Sequence, residues 1–360
     1  MKIEERSNYA DILKGIAIIT VVMGHCGAKG YQIIYLFHMP IFFFISGYFY
    51  KEDYSSSPFS LLKKRLKSLY LPFIKYEFIF LVLNNLIYKI GIIDSTEKIY
   101  SFTSVAKSAV HIFLFDGTEL LLAPFWFVTS LFIVNMLFCL ISYCNRNFSF
   151  KESIRCITIL VFFILGIYLT KMHINIKSSR YGSEIFNVSF VALLFFYIGF
   201  TYKKIEPKVP MNILTSITAF GILYHNSKLN YFIDMRTNSY PSISMFIVNA
   251  LLGIYVMIYL SKEINRINFK FNLISYIGKN TLIILALHLT CFKLVGMLQI
   301  ILYKLPFDNL NKFGVVAFID NWWIAYTLVG VFIPLAIQYL FIDKARNITL
   351  RIRKTENITL

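Results

Sequence analysis

Apolar residues in this chain fall into blocks of about twenty positions separated by short charged stretches, the spacing that a hydrocarbon layer about 30 Å thick imposes on helices. The blocks predict membrane spans near 9–25, 33–50, 70–90, 122–144, 153–170, 187–202, 209–224, 241–260, 279–303 and 318–341. The expected fold is therefore all-α, a polytopic transmembrane helical bundle with about ten spans. The two segments between 187 and 224 are short, and one of them also suits a tilted or re-entrant element. Runs such as Ile154–Leu169 and Thr281–Leu289 do not alternate in polarity as barrel strands would, so an outer-membrane barrel is not expected.

Composition agrees with this pattern. Of 360 residues, 57% are hydrophobic and 15% charged, where an ordinary soluble domain carries about 25% charged residues. The chain lacks the polar surface that water demands. A formal charge of +17 would suit a nucleic-acid binder, but the lysines and arginines sit between apolar blocks, so no nucleic-acid partner is expected. With an inside N-terminus, the inside loops hold roughly twice as many Lys and Arg residues as the outside loops. Both termini are then cytoplasmic, with a transmembrane domain over 1–345 and a basic cytoplasmic tail over 346–360. The first apolar block has no following cleavage site and is expected to remain as a span. The five cysteines show no metal-ligand spacing, and neither an HExxH, a phosphate-binding Gly-rich loop nor a dinucleotide fingerprint occurs. No metal is expected.

The first span reads Tyr9-Ala-Asp-Ile-Leu-Lys-Gly-Ile-Ala-Ile-Ile-Thr-Val-Val-Met-Gly-His25 and places Asp11, Lys14 and His25 in or beside an apolar run. Ionisable groups in a membrane helix mark functional candidates. At 100° per residue, Lys14 lies about 20° and Asp11 about 40° from His25 around the helix, so all three share one face. Lys14 and His25 are separated by roughly 16 Å of rise and Asp11 and His25 by about 21 Å. Spacing alone leaves two readings open: a lined passage between the membrane sides, or an interfacial His25 above an Asp11–Lys14 ion pair.

Two blocks stand out, Asp11-Ile-Leu-Lys-Gly-Ile-Ala-Ile-Ile-Thr-Val-Val-Met-Gly-His25 and Leu36-Phe-His-Met-Pro-Ile-Phe-Phe-Phe-Ile-Ser-Gly47. They are followed in order by Lys63-Lys-Arg-Leu-Lys-Ser-Leu-Tyr-Leu-Pro72, Pro124-Phe-Trp-Phe-Val128 and Leu285-Ala-Leu-His-Leu289. In these blocks the chain resembles the acyltransferase 3 family of integral membrane O-acyltransferases, over nearly its whole length. That family usually has an arginine, ten intervening residues and then the helix-1 histidine; here the arginine's position is Lys14, which keeps the charge but not the planar bidentate fork.

The resemblance implies transfer of an acyl group, usually acetyl from acetyl-CoA, to a hydroxyl of a surface polysaccharide or its lipid-linked sugar precursor. A bacterial cytoplasmic (inner) membrane location with lipid contacts on all sides goes with it. A hydroxyl is a poor nucleophile at neutral pH, so such a reaction needs a general base, and His25 is the expected one. Asp11 lies too far along the helix to orient it, so another helix must supply the orienting group, with His38 or Glu119 as candidates. Lys64, Arg65 and Lys67, within the densest basic run, are expected to hold the phosphates of acyl-CoA, although the same run also suits a topology signal facing anionic lipid. On the substrate side stand His38 beside the helix-breaking Pro40, Glu119, Trp126 and His288. For Trp126 an interface anchor, and for His288 a hydrogen-bonded packing residue, are the alternatives. The competing functions are a transporter or flippase for a glycan intermediate and a passive scaffold.

Overall fold

The computed structural model describes residues 3–93, 99–174, 184–229, 232–267, 272–319 and 321–344. The tail expected over 346–360 lies outside them. In the first half, α1 is Ile3–His25, α2 Tyr31–Tyr35, α3 Pro40–Tyr48, α4 Pro58–Arg65, α5 Leu71–Lys89 and α6 Phe102–Phe113. In the second, α7 is Trp126–Asn145, α8 Lys151–Lys171, α9 Ile185–Ile205, α10 Ile213–Ser227, α11 Ile243–Arg266, α12 Leu273–Lys279, α13 Thr281–Tyr303 and α14 Trp322–Ile337. Among the described residues there is no strand, and Asp234 and Ser239 form an isolated antiparallel bridge. Backbone groups that water cannot reach are thus satisfied within helices.

Among the described residues, six helices are long and apolar enough to cross a membrane: Leu120–Asn145, Lys151–Lys171, Ile185–Lys208, Ile243–Arg266, Thr281–Tyr303 and Trp322–Phe341. The other four expected spans are also helical but differ in character. α1 carries Asp11 and Lys14, α5 carries Lys75 and Glu77, and α10 is only 15 residues long. The expected continuous span over 33–50 is corrected to α2 and α3 with turns between them. Pro40 has no N–H to continue a helix and instead opens α3 at its first position.

The core is built on α9, whose residues from Asn187 to Phe196 are all buried. α3 crosses it closely because glycines face each other there. A Cβ at Gly47 would overlap the Phe196 carbonyl oxygen, and one at Gly199 the Phe44 carbonyl oxygen. α1 and α12 meet in the same reciprocal way, Gly15 against the Ile274 carbonyl and Gly278 against the Asp11 carbonyl. In lipid, where apolar surface gains little by leaving its solvent, such backbone contact is what holds helices together.

Polar staples gather at the end of the bundle that carries Lys63, Lys64, Lys203 and Lys204, hereafter the basic end. Glu206 accepts hydrogen bonds from Tyr9 (3.1 Å) and Tyr48 (2.5 Å) and pairs with Lys262 at 2.9 Å, tying α1, α3 and α11 to the end of α9. Arg155, wholly buried, is neutralised by Glu52 at 2.7 Å and Glu152 at 3.2 Å.

Gly199→Leu should lower stability by about 1–3 kcal/mol, because the added side chain must push two backbones apart. Gly221→Leu, where a Cβ meets nothing within 4 Å, should not. Thermal unfolding of the two variants in one detergent checks this, and equal midpoints would contradict the close-crossing account.

Candidate functional site

A cavity of about 500 Å³ opens at the basic end and runs into the bundle. Its mouth is lined by Asp11, Lys14, Arg65, Ser68 and Lys279, and its inner part by Val21, Met39, Phe42, Phe127 and Leu285. From α1 the lining takes positions 11, 14, 18 and 21, the spacing of one helix face. His25 is the next position on that stripe. Likewise α13 contributes Thr281, Leu282 and Leu285, and His288 follows one turn on, while Met39 adjoins His38. The three histidines thus lie next along the chain from residues that line the cavity's inner part, and none of them lines it.

Their hydrogen bonds define their roles. His288 Nδ1 lies 2.9 Å from the Ile284 carbonyl oxygen, which can only accept, so this nitrogen carries the proton. With the rings neutral, His288 Nε2 is then an acceptor, and His25 Nδ1, 2.7 Å away, must donate to it. The lone pair of His25 is thereby left on Nε2. The two rings stack with centroids 5.0 Å apart at 17°, and Phe292 meets His288 edge-on at 5.7 Å, fixing the imidazoles. His38 repeats the arrangement in small: its Nδ1 donates to the Ile34 carbonyl at 2.9 Å, its ring meets Tyr35 at 4.9 Å, and it lies within electrostatic range of His25. His288 and His38 are buried, whereas His25 is partly exposed.

The structure disperses the remaining candidates. Lys14 and Asp11 form an ion pair at 3.0 Å, with the ammonium 5.2 Å from the Phe49 ring. The same pair lines the mouth of the cavity. Within the basic run, Lys64 turns away to donate to Tyr54 Oη at 2.8 Å, Arg65 lines the cavity, and Lys67 lines an adjoining groove. The buried Nε of Arg65 has no hydrogen-bond partner among the described residues. The group that orients His25 is His288 rather than His38 or Glu119. Glu119 accepts instead from Asn84 Nδ2 at 2.9 Å and Thr118 Oγ1 at 3.1 Å. Trp126 opens α7 at the end opposite the basic one, edge-on to Phe127 of the cavity wall.

Sequence reasoning gave no role to the segment that folds over the far end of α1. Lys293 Nζ, buried in α13, donates to the carbonyls of Leu310 (2.8 Å) and Lys312 (2.6 Å). Gln299 donates to the Ala317 carbonyl at 3.3 Å and accepts from Tyr326 Oη at 2.7 Å. These bonds seat Phe318 against Gly27, two residues beyond His25. A buried lysine in an apolar helix was the only signal for it in the sequence.

The model of the acyltransferase 3 family, described as an acyltransferase domain, matches residues 7–342. The chain belongs to this family. No curated protein and no solved structure matches it. It is thus a multi-pass membrane acyltransferase, and the match spans the cavity, all three histidines and both glycine crossings. Among the described residues no cluster of His, Cys, Asp and Glu has the geometry to hold a metal ion.

The cavity makes its own prediction. With Cys144 and Cys156, the cysteines that are not buried, replaced by serine, Ser46→Cys and Ser68→Cys should react with a small water-soluble maleimide. Ser130→Cys, at a position wholly buried against Ser189, should not. Mass spectrometry of the intact protein reads the difference, and a Ser46→Cys as unreactive as Ser130→Cys would show that the passage is closed to water.

Proposed function

We propose that this acyltransferase moves an acyl group, acetyl, from acetyl-CoA to a hydroxyl of a cell-surface polysaccharide or its lipid-linked sugar precursor, with His25 as the general base. The observation that carries this reading is the hydrogen-bond chain from the Ile284 carbonyl through His288 to His25, about one helical turn beyond the lining of a cavity with a cationic mouth. The excess of Lys and Arg in the inside loops supports a cytoplasmic basic end, as expected of a bacterial inner-membrane protein with about ten spans and cytoplasmic termini. Acyl-CoA is then taken from the cytoplasm, and the acceptor approaches His25 from the end that carries Trp126 and Glu119.

The chemistry follows from the assigned tautomer. His25 Nε2 removes the proton of the acceptor hydroxyl while its oxygen attacks the thioester carbonyl. The new C–O bond forms, the C–S bond breaks, and the proton passes from His25 to the departing sulfur. During the step the imidazolium is stabilised by its Nδ1–H bond to His288, which becomes charge-assisted. His288 holds the ring and its tautomer, as an orienting partner does for other histidine bases. Asp11 and Lys14 lie about 16–21 Å of helix rise from His25 and act on the approach of the donor, not on the reacting atoms.

The test is turnover of acetyl-CoA by purified protein in nanodiscs with the host's polysaccharide as acceptor. His25→Ala should lower kcat by about 10²–10⁴-fold. His288→Ala should cost about 10–100-fold with little change in KM for acetyl-CoA. Full activity in His25→Ala would remove His25 as base, and a wild-type protein that consumes no acyl-CoA while moving the acceptor across the membrane would favour a flippase.

A further inference from the structure

Beside the cavity mouth lies a second concavity of about 410 Å³, and the two share Lys279, Thr281 and Leu282. Three lysines, Lys67, Lys75 and Lys279, line it with Asn280 and Gln338, and its lining contains no carboxylate. Lys67 and Lys75, with Leu71 between them, lie on the run from α4 into α5 and line the same wall. Lys279 comes from the opposite wall, at the end of α12. The other basic cluster at this end is compensated: Arg155 and Lys204 pair with Glu52 and Glu152. All three are exposed, yet they border one concavity that shares Lys279, Thr281 and Leu282 with the cavity. The first turn of α13 adds to the field, since the Asn280 side chain donates to the Tyr276 carbonyl at 2.9 Å and leaves that turn without a side-chain cap.

We infer that this groove holds the phosphates of the donor's nucleotide end, the 3′-phosphate and diphosphate of coenzyme A, while the thioester arm passes Arg65 and Lys14 into the cavity. The inference rests on the acyl-CoA reading above and adds to it the place and the residues of nucleotide recognition. From Thr281 to His288 the helix rises about 10 Å, which is the depth the arm must cover beyond the groove. Arg65, with its buried Nε free of hydrogen bonds among the described residues, stands where the arm turns inward. Phosphates of anionic lipid headgroups share this chemistry, and the experiment separates the two sources.

The decisive experiment compares wild type with the Lys67→Gln/Lys75→Gln/Lys279→Gln protein in nanodiscs of zwitterionic lipid, using acetyl-CoA and the phosphate-free acetyl-pantetheine as donors. KM for acetyl-CoA should rise about tenfold or more, as expected for lost charge-assisted bonds, while KM for acetyl-pantetheine stays the same. Adenosine 3′,5′-bisphosphate should bind the wild type and lose affinity to the same degree in the variant. An unchanged KM for acetyl-CoA overturns the inference. So does an equal rise for both donors, which marks a structural defect, or a rise that occurs only when anionic lipid is present, which marks a lipid site. A wild type that turns over neither donor refutes the transfer reading itself, and bisphosphate binding then judges the groove alone.

Discussion

The contact on which the site depends is the glycine-to-carbonyl crossing of α1 and α12. Gly278 against the Asp11 carbonyl and Gly15 against the Ile274 carbonyl lock the two helices in register at the basic end. Because α13 begins directly after α12, that register also decides which residue of α13 stands opposite His25. A bulkier side chain at either glycine would displace α13 as a body, and interiors packed at crystal density do not absorb such a shift locally. The 2.7 Å bond between His25 and His288 joins residues at opposite ends of the sequence through this one crossing.

The distribution of charge follows the same economy. At the basic end Glu206 is held by two tyrosines and Lys262, and buried Arg155 by two glutamates. Lys293 has backbone carbonyls instead, and through them anchors the segment above His25. These three charges are met by protein groups, as the cost of burying an unpaired charge requires. The cationic walls of the cavity and the groove contrast with this.

Much of the fold was legible because hydrophobic period and block length are direct imprints of a membrane. The helices appear where the apolar blocks are, and the shared face of Asp11, Lys14 and His25 follows from 100° per residue. What stayed hidden depends on neighbours. A lone histidine in an apolar helix has no pattern of its own, so His288 could be placed beside His25 only once α12 had set the register. The run Lys63-Lys-Arg-Leu-Lys67 reads as one cluster, but successive helical residues point in different directions. Lys64 therefore turns to Tyr54, Arg65 to the cavity and Lys67 to the groove. The companions of Lys67 in that groove, Lys75 and Lys279, lie eight and more than two hundred positions away in the sequence.

The way the histidine chain ends bears on the cell's energy supply. Linked imidazoles inside a membrane protein are ordinarily a route along which protons hop, each ring accepting at one nitrogen and releasing from the other. Here the last ring spends its releasing nitrogen on the Ile284 carbonyl, which has no proton to exchange and passes none on. A proton that arrives at His25 leaves by the side on which it came, so the pair opens no leak in the gradient across the bilayer.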